Sequence, residues 1–158
     1  MARNGDAVDL NSIRLLLVDD EERFRTTLSK RLAEKGLAAE TAGSGIDALK
    51  IVKDRPVDVI VLDIRMPEMD GIETLRQVKK INSEVAVILL TGHANIESAV
   101  EGMRLGAYDY LMKPCDLEQL LAKITEAWDA KQAREKKAVK NGIQKKMNYW
   151  QKHWSRSS

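Results

Sequence analysis

Only one cysteine, Cys115, stands among the 158 residues, so an internal disulfide and any disulfide-framed fold are excluded. With 3 prolines, 9 glycines and no internal repeat, the chain is neither low-complexity nor a solenoid. No apolar run reaches transmembrane length, and the N-terminus lacks the basic-then-apolar order of a secretory signal. A soluble, cytoplasmic protein with no membrane span is therefore expected. Cys/His metal clusters and glycine-rich nucleotide loops are also missing, which removes zinc and mononucleotide chemistry from consideration. Acidic residues are scarce at one end. From Lys131 to Ser158 nine Lys or Arg face one acid, Glu135, a net +8, whereas the remainder carries −6. That asymmetry reads as an acidic domain with a basic tail, the boundary falling near Asp129. The length suits one domain with some chain to spare and leaves no room for a second, catalytic one.

What is present is a regular alternation. Met1–Asn11 is polar and aperiodic and is expected to be loose. Ile13–Val18 is an uninterrupted apolar run that ends in Asp19-Asp20-Glu21, the pattern of a strand buried on both faces. Phe24, Leu28 and Leu32 at helical spacing lead to Gly36 as a C-terminal stop. A short strand over Leu37–Thr41 follows. Ser44 and Asp47 open a second helix through Ile46, Leu49, Ile51 and Val52, which Pro56 closes. Val57–Leu62 is a third strand delivering Asp63, after which Pro67 and Asp70-Gly71 shape a loop. Ile72, Leu75 and Val78 predict a helix to about Ile81, and Val85–Leu90 a strand ending in Thr91. Ile96, Ala99, Val100 and Met103 form the stripe of a fourth helix that Gly106 ends. Tyr108–Met112 is a fifth strand ending in Lys113-Pro114. Asp116 and Gln119 cap a fifth helix with Leu117, Leu120, Leu121, Ile124 and Trp128 inward.

Five strands alternating with five helices predict an α/β fold, a doubly wound parallel sheet, whose ligands bind outside the carboxyl ends of the strands. Four of those ends carry Asp19-Asp20, Asp63, Thr91 and Lys113. Packing does not require these polar residues there, so their convergence is the functional signal. The set, with Asp63-x-x-Met66-Pro67-x-Met69-Asp70-Gly71, Tyr110 and Lys113-Pro114 in order, resembles the receiver domain of bacterial two-component response regulators, the family of the chemotaxis response regulator. The resemblance covers Ser12 to Trp128, and it implies a flavodoxin-like five-stranded sheet in the order 2-1-3-4-5, here with a helical extension over 129–158.

Three carboxylates crowded at one point repel by ~4 kcal/mol per pair at ~4 Å and an effective dielectric near ~20, so such a site asks for a cation. The resemblance implies Mg²⁺, with Asp20 and Asp63 as direct ligands, Asp19 acting partly through water and the Arg65 backbone carbonyl completing the protein's share. It further implies that Asp63 is the phosphorylated nucleophile and that a sensor histidine kinase or phosphotransfer protein is the donor. Lys113 and Thr91 then hold the phosphoryl group, Thr91 and Tyr110 switch, the Lys113-Pro114 peptide is cis, and a downstream protein target reads the result. The chain would catalyse only its own phosphorylation and dephosphorylation and is otherwise no enzyme.

Each residue taken singly has a plainer reading. Asp20 or Glu21 caps a helix, Thr91 is a β-branched strand residue, Tyr110 is core, and Lys113 is a solvated charge. His93 lies near the rim of the site or on a surface loop, His153 is surface, and Cys115 is a small packing residue. In the tail Val139, Ile143, Met147, Trp150 and Trp154 make an amphipathic helix that Asn141-Gly142 interrupts. Two outcomes are open there: a break of the fifth helix, or a continuation stabilised from outside by docking on the domain or on a second copy as a homodimer. A disordered basic extension is the alternative. The leading expectation is a receiver without an effector domain that signals by protein contact. A receiver whose tail binds nucleic acid is the alternative, disfavoured because no nucleic-acid fold is recognisable, and a pseudo-receiver without phosphotransfer is disfavoured because every site group is present.

Overall fold

A computed structural model describes residues 9–92 and 95–154. Five strands, β1 (Leu15–Val18), β2 (Ala39–Ala42), β3 (Val59–Asp63), β4 (Ala86–Thr91) and β5 (Asp109–Met112), form one parallel sheet in the order β2-β1-β3-β4-β5. The connecting helices are α1 (Glu22–Glu34), α2 (Gly45–Asp54), α3 (Gly71–Ile81) and α4 (Ile96–Arg104), and α5 (Leu117–Trp154) follows β5. This is the doubly wound α/β architecture that the alternation predicts.

The uninterrupted apolar strands sort by residue parity. Leu16, Val18, Ile60, Leu62, Val87 and Leu89 enter a core with α2, α3 and α4. Leu15, Leu17, Val59, Val61, Ile88 and Leu90 face α1 and α5. With apolar neighbours on both faces, alternation of polarity along a strand would bury charge, and so the sequence shows none. Helix ends follow local chemistry. Ser44 Oγ accepts from Asp47 N at 3.1 Å and an Asp70 carboxylate oxygen from Glu73 N at 2.9 Å, each satisfying an orphan N–H of a first turn. Gly36, with φ +93°, follows α1 in the left-handed conformation that a side chain would strain.

Three expectations need correction, and one alternative left open by the sequence is decided. Residues 9–12 are not loose. Asp9 accepts from Asn11 N at 3.1 Å and caps a 3₁₀ turn over Leu10–Ser12, and Leu10 packs against the α1/α5 core; residues 1–8 lie outside the described part. The second strand begins at Ala39 rather than Leu37, which is buried in the turn before it. In α4 only Ala99 and Gly102 are buried, and Ile96, Val100 and Met103 face outward, because the helix meets β4 on the side of its small residues. Helix α5 does not break at Asn141-Gly142. It runs 38 residues, about 57 Å, through the expected boundary at Asp129, and every described residue from 133 to 154 is exposed, so this part of the helix buries no apolar face on its own domain. One glycine costs about 1 kcal/mol, less than flanking Ala, Lys, Gln and Met supply in favourable propensity over several turns.

Candidate functional site

The parallel register brings the strand ends level: Val18 lies beside Leu62, Asp63 beside Leu90, and Thr91 beside Met112. Residues just past β1 and β5 therefore flank the last residue of β3. One oxygen from each of Asp19, Asp20 and Asp63 lies within 4.8 Å of the others. Asp19 and Asp63 are buried and Asp20 is exposed, so the cluster opens to solvent on one side. Lys113 Nζ donates to Asp19 Oδ2 at 2.8 Å and stands 3.7 Å from Asp63 Oδ1. The same ammonium lies 4.3 Å over the Phe24 ring, whose π-face adds attraction at little solvation cost. Asp19 is fixed further, its Oδ1 accepting from Glu21 N at 2.9 Å and its backbone carbonyl from Arg25 Nη1 at 2.9 Å.

In the sequence Phe24 stands only as part of a helical stripe, and no motif there distinguishes Arg25. Their position in the first turn of the helix after the acidic pair was the available signal.

The loop after β3 is held against the strand end. Gly71 N donates to the Ile64 carbonyl at 2.7 Å, and a Cβ on Gly71 would stand 2.2 Å from the Asp63 carbonyl oxygen, so only glycine admits this approach. Glu68 in the same loop takes a left-handed φ of 66°. The Arg65 backbone N–H hydrogen bonds to the Asp63 carboxylate, and the Arg65 side chain is exposed.

Asp63 and Lys113 are both shifted upward, for different reasons. Burial raises the Asp63 carboxyl, the Asp19 charge adds to this, and Lys113 with the Arg65 N–H only partly opposes them, leaving the group pushed up to about 6. Burial acts to lower Lys113, but its hydrogen bond with Asp19 and the charges of Asp19 and Asp63 outweigh that and raise it.

Thr91 is fully buried, and its hydroxyl donates to the Gly92 carbonyl at 3.1 Å rather than to any of the three carboxylates. The backbone N–H of Lys113 donates to the Thr91 carbonyl at 2.7 Å, tying the two strand ends together. Tyr110 is half-buried on the α2/α3/α4 side, opposite to Phe24 and Lys113, as its offset of three residues from Lys113 predicts. The Lys113-Pro114 peptide is cis. His93 lies outside the described residues.

Residues 15–125 of the chain match the response regulator receiver domain. The chain belongs to this family. It is 45% identical over 107 residues to Regulatory protein AtoC of Escherichia coli K12, an alignment covering 68% of this chain and 23% of that protein. With Response regulator MprA of Mycobacterium leprae it shares 41% over 113 residues, or 71% of this chain and 49% of the relative. The chain thus spans no more than about half the length of these curated relatives. A response regulator receiver domain protein from Clostridium thermocellum superposes with a TM-score of 0.74 at 33% identity, covering 77% of this receiver and 98% of that chain. NtrX from Brucella abortus in complex with ADP gives 0.75 at 31%, covering 79% and 29%. No described helix is long and apolar enough to cross a membrane.

Proposed function

We propose that this receiver is a phosphorylation switch in which Asp63 takes a phosphoryl group from a phosphohistidine on a sensor kinase or phosphotransfer protein. The observation that carries the reading is the meeting of Asp19, Asp20 and Asp63 within 4.8 Å under one ammonium, Lys113. An all-oxygen, multiply anionic and partly solvated donor set fits Mg²⁺. Asp19, Asp20, Asp63 and the Arg65 backbone carbonyl would hold it. When bound, the ion supplies the charge that lets carboxylates and phosphoryl oxygens share the site.

The chain's own residues do the rest. An Asp63 carboxylate oxygen forms the new bond to phosphorus as the phosphorus–nitrogen bond of the donor breaks, and the imidazole departs with that electron pair and takes up a proton. The product is an acyl phosphate at the end of β3. Lys113 moves its point charge from Asp19 and Asp63 toward the phosphoryl oxygens, and the Thr91 hydroxyl turns from the Gly92 carbonyl to donate to one of them. Tyr110 follows into the space Thr91 leaves. The surface of α4, β5 and α5 changes with it, and the outward Ile96, Val100 and Met103 there offer apolar contact to a downstream protein.

Intact-mass spectrometry after incubation with acetyl phosphate and Mg²⁺ tests the reading. Wild type is expected to gain one phosphoryl group, and neither Asp63→Asn nor wild type with excess chelator should gain any. An unmodified wild type, or a modified Asp63→Asn, refutes it.

A further inference from the structure

Helix α5 carries two apolar stripes that point in different directions. Leu117, Leu120, Ile124, Ala127 and the buried Lys131 face the sheet. Val139, Ile143, Met147, Trp150 and Trp154, between 51% and 75% exposed, form the second stripe. At ~100° per residue their steps of 4, 4, 3 and 4 keep them within an arc of about 80°, centred about 120° around the axis from the sheet-facing stripe. A straight helix cannot turn that arc back onto its own receiver. Arg134 Nε pairs with Glu84 Oε1 of the domain at 3.2 Å, and beyond it the described helix runs about 30 Å further.

The charge on this segment limits what can cover it. Between Glu135 and Trp154 there are six lysines and one acid, Glu135, which is already engaged by Lys131 Nζ at 2.6 Å. A second copy's tail would bring like charge along the whole length. Two consecutive steps of four also depart from the 3–4 alternation that knobs-into-holes pairing needs. Lys140 and Lys146 border the apolar arc, where their stems can lie along an apolar surface while the ammonium groups reach outward. Two tryptophans close the stripe, with Tyr149 edge-on to Trp150 at 5.7 Å, the amphipathic aromatic type that settles at a lipid–water boundary.

We propose that the α5 extension is an interfacial anchor. It lies flat in the headgroup layer of an anionic phospholipid bilayer, with the Val139-to-Trp154 stripe toward the acyl chains and the lysines against lipid phosphates. The extended helix then holds the receiver at the membrane surface without spanning it.

Co-sedimentation of the full chain with phosphatidylcholine vesicles, with and without phosphatidylglycerol, reads this directly. Binding is expected only with the anionic lipid, with a blue shift of tryptophan emission, and it should weaken as salt rises. Trp150→Ala/Trp154→Ala should bind at least about tenfold more weakly, Trp150→Phe/Trp154→Phe should largely restore binding, and Lys145→Gln/Lys146→Gln should weaken it at low salt. Unchanged far-UV circular dichroism of these variants shows that the receiver is folded. Three results overturn the proposal: no binding to anionic vesicles at low salt; equal binding by the double alanine variant, which reduces the tail to a charged adsorber; or a dimer by light scattering without lipid whose Trp150 and Trp154 are already shielded, which makes a second copy the occupant.

Discussion

Asp58, just before β3, is fully buried, and its charge is met by four donors from two other segments. Arg14 gives Nε to Oδ2 at 3.0 Å, Nη2 to Oδ1 at 2.8 Å and its backbone N–H to Oδ2 at 2.9 Å, and Lys131 Nζ donates to Oδ1 at 3.1 Å. Burial alone pushes the carboxyl up, but the Arg14 and Lys131 hydrogen bonds more than reverse this and take it from 3.8 down to about 2. At ~1.4 kcal/mol per pH unit the shift represents about 2 to 3 kcal/mol of native stability. The folded-state value is depressed, so this contribution is fully present above about 4 and is lost as pH falls toward about 2, with about half remaining at pH ~3. Asp58→Asn keeps the shape and removes the charge. Urea unfolding followed by circular dichroism should show the variant less stable by about 2 to 3 kcal/mol at pH ~7, a drop in Tm of about 5 to 10 °C, and the gap should shrink by about half at pH ~3. Equal stabilities at neutral pH refute the reasoning, and a gap that does not change down to pH ~3 assigns the loss to packing instead of charge.

Three further outcomes follow from the site. Lys113→Ala removes the group that neutralises Asp19 and approaches Asp63, and it should leave Asp63 able to accept phosphate while the phosphate-dependent NMR shifts of Thr91 and Tyr110 diminish; undiminished shifts contradict its role. Gly71→Ala places a Cβ against the Asp63 carbonyl, and it should cost about 2 kcal/mol or more in chemical denaturation and displace the loop, so a fully stable variant with normal phosphorylation contradicts the close approach. Asp20→Ala, at the exposed member of the trio, should weaken Mg²⁺ binding by calorimetry with little change in stability, and unchanged affinity removes Asp20 from the ligand set.

The fold was legible because each apolar run ends at a residue that packing does not want. Val18 gives way to Asp19, Leu62 to Asp63, Leu90 to Thr91 and Met112 to Lys113, and parallel topology turns these separate endings into one place. Asp58 was not legible, since an acid at the start of a buried strand reads as a loop residue until register and helix length bring Arg14 and Lys131 to it. Lys131 likewise counted as one of nine basic tail residues, although it is buried and belongs to the domain. In α4 the stripe of Ile96, Val100 and Met103 has helical period, but period says nothing about which side a helix presents. Gly102 decides it, because a Cβ there would stand 2.3 Å from Leu89 Cδ1, and so the glycine side must be the packed one.

Strand β3 and the residue before it thus carry two buried carboxylates at opposite ends, and their surroundings divide structure from chemistry. At one end Asp58 meets a guanidinium fork, a backbone N–H and an ammonium, and its carboxyl falls to about 2. At the other, Asp63 meets one ammonium at 3.7 Å, one backbone N–H and two like charges, and its carboxyl rises to about 6. The burial cost is common to both, so the difference comes from the partners. A satisfied carboxylate has no reason to bind anything more. Asp63 keeps an unsatisfied charge at the open end of the sheet, and a cation that completes its surroundings would be bound with the electrostatic free energy that folding left there. An Arg placed within reach of Asp63 would satisfy it as Arg14 satisfies Asp58, and would remove the free-energy difference on which a switch at this position depends.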